Sequence, residues 1–144
     1  MTFVKTLMRG QCWLALVVVG FQCDALAFEI EFDYRFDRNG FFDAPEARAA
    51  LERAAGFFEG FDDELASITP DPAAGNTWSV SLLDPGFISG TVTLVDEVVP
   101  ADTLKVFVGA SASFPGVLGV AGSGFDLTVG GDAAFRATVT ERGQ

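Results

Sequence analysis

The chain has 144 residues, nine basic and twenty acidic side chains for a net charge of −11, no histidine, and 49% hydrophobic residues. Without histidine it lacks the commonest metal ligand and general base, and its acidity disfavours phosphate backbones and anionic lipid surfaces as partners. Both cysteines, Cys12 and Cys23, fall within the first 27 residues.

Those residues have the order of a secretory signal: Lys5 and Arg9 in a basic start, an apolar run from Trp13 to Phe21, then Ala25-Leu26-Ala27. The run is short for a membrane span, and the small-residue pattern predicts cleavage after Ala27. Acylation at Cys23 fits less well, because Phe21 and Gln22 stand where small residues are required. The chain is therefore expected to be secreted, beginning at Phe28. It then retains 117 of its 144 residues, with seven basic against nineteen acidic side chains, a net −12, and no cysteine for a disulfide. A length of this order suits one domain.

From Phe28 to Phe36 every even position is apolar or aromatic and every odd position charged, which predicts a strand with one buried and one wet face. Asp37-Arg38-Asn39-Gly40 follows as a turn. A calcium loop would place Asp37, Asn39, Gly40 and Glu46 at its third, fifth, sixth and twelfth positions, but its first would be Arg35, a cation where a carboxylate is needed. The plain turn is the better reading, and calcium stays a weak alternative.

A helix is expected next, capped by Asp43, with Pro45 in its first turn and Glu46 three residues after the cap. Ala47, Ala50, Leu51, Ala54, Phe58 and Phe61 form its apolar stripe, Arg48 and Glu52 a pair on the other side, and Gly56 a weak point in its middle. Asp62, Asp63 and Glu64 read as a solvated end or the start of a short helix through Ile68, since three consecutive carboxylates on a helix point in different directions.

After a loop marked by Pro70, Pro72, Gly75 and Asn76, strand-like runs predominate: Thr77 to Leu83, Gly90 to Val95, Thr103 to Ala110, Phe125 to Val129 and Ala133 to Thr140. Asp84-Pro85-Gly86 separates the first two. Gly130-Gly131-Asp132 is expected to be a tight hairpin turn between the last two. Val98 to Asp102 is an extended approach to a strand. The loop from Ser111 to Gly124 is rich in glycine, alanine and serine but is no phosphate cradle, having neither G-K-[ST] nor a helix-opening G-x-G-x-x-G.

No catalytic constellation emerges, so no catalytic, cofactor-binding or metal-ligating residue is assigned. A serine nucleophile would need a lysine or another unusual base, and Lys105 is the one lysine after the leader. The alternation of Leu104, Val106 and Val108 around Lys105 predicts that it faces solvent. Carboxylate pairs for sugar hydrolysis are numerous, and nothing selects one.

The run FEIEFDYRFDRNGFFDAPEARAALERAAGFFEGF, followed by NTWSV, VPADTLKVFVGA, LGVAGSGF and ERGQ, resembles the N-terminal part of secreted bacterial metalloprotease-like proteins of the zincin type. The resemblance implies an α+β fold in which an opening strand and helix pack with a mixed, mainly antiparallel sheet. It further implies a later helix carrying H-E-x-x-H, where two histidines bind zinc and the glutamate acts as base. With no histidine, none of these ligands transfers to this chain. Zinc is expected only in a longer relative, and the chain is expected to be a non-catalytic front portion, incomplete at its C-terminus, that associates with the missing half. The alternative is a complete small secreted module that binds an extracellular ligand or serves a surface-structural role.

Overall fold

The computed structural model describes residues 29–58, 64–112 and 119–142. The leader, Phe61, Asp62 and Asp63 lie outside them. The elements run β1 (Glu29–Asp33), α1 (Pro45–Ala55), β2 (Trp78–Leu83), β3 (Thr91–Val95), β4 (Thr103–Phe107), β5 (Phe125–Val129) and α2 (Ala133–Glu141). The fold is α+β. Its strands form two sheets rather than the one mixed sheet expected: β1 pairs with β4 in parallel, and β2 is flanked antiparallel by β3 and β5.

β1 ends at Asp33, three residues before the alternating run does, where the Asp33 carboxylate accepts the Arg35 N–H at 3.0 Å and the Tyr34 carbonyl accepts the Asp37 N–H at 2.9 Å. The turn at Asp37–Gly40 stands where expected, with Gly40 at φ 64°. Neither face of β1 is fully wet: Glu31 and Asp33 are half-buried alongside Ile30 and Phe32.

Helix α1 departs from expectation in several details. Ala44, not Asp43, is the N-cap and offers no side-chain bond, and Pro45 takes the first position, where its missing N–H costs nothing. Asp43 lies instead in a short 3-10 turn over Phe41–Asp43. Arg48 turns back toward the N-terminus, 3.7 Å from the Asp43 carboxylate and 4.6 Å from the centre of the Tyr34 ring, so it does not pair with Glu52. The covered side of the helix includes Ala47, Leu51 and Ala55, whereas Ala50, Ala54 and Phe58 are exposed. Gly56 is the C-cap and not an interior weak point, since the helix stops at Ala55.

Residues 64–67, the described part of the expected short helix before Ile68, are irregular. Ile68 forms an isolated antiparallel bridge with Val99, exchanging N–H to carbonyl bonds of 2.8 and 3.0 Å. Between that bridge and β4, Asp102 stands at φ 51° and its carboxylate accepts the Leu65 N–H at 3.1 Å.

The largest correction is at the C-terminal end, where residues 133–140 form helix α2 and not a strand. Phe135, Ala137 and Val139 alternate as a strand would, but Phe135 and Val139 are also one helical turn apart. Asp132 decides between the two. Its carboxylate accepts the Phe135 N–H at 2.8 Å, the bond of an N-cap. Thr138 and Thr140 direct their hydroxyls to the carbonyls four residues back, so both side-chain donors are satisfied within the helix. The predicted hairpin turn is therefore a strand-to-helix connection. Gly131 has φ 113°, and a Cβ there would stand 2.1 Å from the Asn76 amide oxygen that accepts the Asp132 N–H, so only glycine fits.

Helix α2 is positioned by the core. Phe135 and Val139 are buried with Ile68 and Val99, and Trp78 and Val129 pack against them. At its end Arg142 donates to the carbonyls of Ala66, Pro100 and Thr103 at 2.6 to 2.9 Å, tying the helix to the approach to β4. Burial pushes the Arg142 guanidinium below its usual range, against the opposing charge of Asp102. Among the described residues no helix is long and apolar enough to cross a membrane.

Candidate functional site

Between the two sheets lies an open cleft of about 1290 Å³. Val80 and Leu82 of β2 and Leu94 of β3 line it from the antiparallel sheet, and Leu104 and Val106 of β4 from the parallel pair. It is larger than the usual ligand pocket of about 300 to 1,000 Å³. The polar residues on it include Glu97 and Lys105, which belong to a cluster of five charged side chains.

The cluster follows from strand geometry. Side chains two apart on a strand share a face, so Glu31, Asp33 and Arg35 project together from β1 and its extension, and Lys105 and Phe107 do so from β4. The parallel register sets Glu31 opposite Lys105 and Asp33 opposite Phe107. The Lys105 ammonium then lies 3.6 Å from Glu31, 3.8 Å from Asp33 and 3.7 Å from Glu97. Arg35 forks onto both oxygens of Glu97, the second at 3.1 Å, and also reaches Asp33 at 2.6 Å. Both cations flank the Phe107 ring, Arg35 at 5.4 Å and Lys105 at 6.0 Å from its centre.

Lys105 therefore does not face solvent: its side chain is 13% exposed, enclosed by carboxylates. A nucleophilic amine needs a free lone pair aimed at substrate, whereas this ammonium is engaged on three sides. No three acidic side chains among the described residues are placed to hold a metal ion. Glu31, Asp33 and Glu97 surround the ammonium instead. Of the residues weighed for calcium, Asp37 accepts the Phe42 N–H at 2.7 Å through one carboxylate oxygen while the other is buried without a hydrogen-bond partner among the described residues, Asn39 donates to the Ala110 carbonyl at 3.0 Å, and Glu46 lies in the first turn of α1.

Hydrogen bonds donated by Arg35 to Glu97 and then to Asp33 raise the Arg35 pKa. Burial pushes the Asp33 carboxyl up, but hydrogen bonds from the Arg35 side chain and backbone, with the charges of Arg35 and Lys105, pull it below the usual carboxylate range. A depressed folded-state pKa gives stability that is complete above the unfolded value of about 3.9 and is lost as pH falls through the folded value. The stability advantage of the native protein over Asp33→Asn is thus expected to be constant near neutrality and to shrink below about pH 4. Urea unfolding of both proteins across that range checks it; an advantage unchanged at low pH would refute the assignment.

The sequence pointed to the strand and to Lys105 but not to their meeting. The alternation put Glu31 and Asp33 on one face, which was the available signal. The parallel register and the arrival of Glu97 from the β3–β4 connection are long-range facts with no local signature. No family model, curated protein or solved structure matches the chain.

Proposed function

We propose that the chain is the secreted, non-catalytic N-terminal portion of a zincin-like metalloprotease, a scaffold that receives the remainder of the domain. The observation carrying this reading is the open apolar cleft between two sheets that share no strand pairing among the described residues. Sheets ordinarily bury one face against a second layer. Here no described side chain falls below 2% exposure, and Phe41, Phe57, Val95 and Val98 are each more than half exposed. The parallel pairing of β1 and β4 with helix α1 in their connection accords with the opening strand and helix that the resemblance implies. Without histidine the chain has no H-E-x-x-H to offer, so on this reading the zinc ligands lie outside it.

The exported chain from Phe28 is expected to bind an apolar dye in its native state, to self-associate as concentration rises, and to show no zinc-dependent hydrolysis of casein. A monomeric, dye-silent protein at high concentration would sink the proposal and favour the small secreted binding module.

A further inference from the structure

Among the described residues β4 is paired on one edge only. The Glu29 N–H donates to the Asp102 carbonyl at 2.7 Å and the Val108 N–H to the Asp33 carbonyl at 2.9 Å. Backbone groups alternate sides along a parallel strand, so Leu104 and Val106 address β1 while Lys105 and Phe107 direct their N–H and C=O groups the other way. Thr103, of the same parity, gives its carbonyl to Arg142 at 2.7 Å. No described residue pairs with the outward backbone groups of Lys105 and Phe107.

That edge opens on the cleft, which Leu104, Lys105, Val106, Phe107 and Val108 all line. Side chains alternate between the two faces of a strand, so a run of consecutive residues borders one cavity where the strand meets it edge-on. Lys105 and Phe107 are half-buried there, and main-chain donors and acceptors withdrawn from water need partners. A parallel pair without a third strand is also at the margin of stability. Donors and acceptors repeating at strand spacing fit one kind of occupant, another extended backbone. The outer strand β5 differs, because Asp126 at φ 53° and a register shift against β2 give it the bulge that blunts an edge. The register of β4 is unbroken.

Resting on the scaffold reading above, we propose that the remainder of the domain enters the cleft as a β-strand added to the free edge of β4. It pairs with Lys105 and Phe107 and lays alternate apolar side chains on Val80, Leu82 and Leu94, which line the cleft from the other sheet. Arg142 sets where it enters. The end of α2 is bound to the Thr103 carbonyl, the first group of this edge, so a continuation past Gln144 starts beside it. At the other end Pro85 and Gly86 close on Gly109. From Thr103 to Gly109 the edge spans about 20 Å at roughly 3.3 Å per residue, the length of an ordinary strand.

The probe is a tethered strand: the chain from Phe28 extended after Gln144 by a glycine-serine linker and a short run of alternating valine and threonine, which makes pairing intramolecular. Hydrogen exchange is read residue by residue at low protein concentration by fragmentation mass spectrometry. In the untethered chain the Lys105 and Phe107 amides are expected to exchange fast and those of Leu104 and Val106 slowly. The tethered strand is expected to abolish the fast exchange at Lys105 and Phe107, and the same tether with proline at alternate positions to leave it. Slow exchange at both residues in the untethered monomer, fast exchange there with the valine-threonine tether, or equal protection by the proline tether would each overturn the proposal. The scaffold reading is tested separately by dye binding and self-association of the untethered chain, so a chain that binds dye and gains no protection from the tether sinks strand addition alone.

Discussion

Phe135→Ala is expected to destabilise the protein by about 3 to 5 kcal/mol, the usual cost of truncating a buried aromatic. The size of the effect follows from how few side chains do the burying. Phe135 shares its cluster with Ile68, Val99 and Val139, and Trp78 and Val129 close it from the antiparallel sheet. A phenyl ring removed here leaves a cavity bordered by a helix, an isolated bridge and a sheet, and no one of them can collapse into it alone. Domains are stable by only about 5 to 15 kcal/mol, so the loss is a large share of the total. Urea unfolding monitored by circular dichroism measures it. A cost below about 1 kcal/mol, typical of surface positions, would mean that α2 does not pack on this cluster.

Gly109→Ala is expected to cost about 3 kcal/mol or more, at or above the upper end of ordinary overpacking. A Cβ at this position would lie 2.7 Å from the Pro85 carbonyl carbon, 2.8 Å from the Gly86 nitrogen and 2.9 Å from the Phe36 oxygen. All three are backbone atoms on two different segments, so relief requires moving the junction that joins the sheets. A flexible side chain could have swung aside; these atoms cannot. The same unfolding measurement reads the effect, and a near-native midpoint for Gly109→Ala would contradict the close approach of Phe36, Pro85 and Gly109.

The local elements that were legible in the sequence are those whose pattern had a single reading. Trp78 to Leu83, Thr91 to Val95 and Phe125 to Val129 lie between clear turn residues and are strands, and Gly40 takes the positive φ its turn requires. Residues 133–140 were misread because Phe135, Ala137 and Val139 satisfy a period of two, while the deciding contact, Asp132 to the Phe135 N–H, is an N-cap that resembles a turn residue after two glycines. Helix α1 was found, and Ala47 and Leu51 of its expected stripe are covered, but Ala50, Ala54 and Phe58 are exposed. Alanines at 47, 50, 54 and 55 are apolar at every angle, and only packing against neighbours chooses among them.

The charged cluster was legible in its parts and not in its assembly. Local alternation gives a residue's face but neither strand order nor register, and both were needed to bring Lys105 to Glu31 and Asp33. Glu97 carried no periodic signal at all, because it lies in a connection. Its position depends on the bond from the Trp78 indole, a contact between residues nineteen apart.

The most direct test of the proposed scaffold role is to sequence the genomic DNA beyond the codon for Gln144 in the same reading frame. The account predicts that the frame continues into a segment encoding H-E-x-x-H. A stop codon with no such frame beyond it would contradict the account and leave a histidine-free secreted binding module in its place.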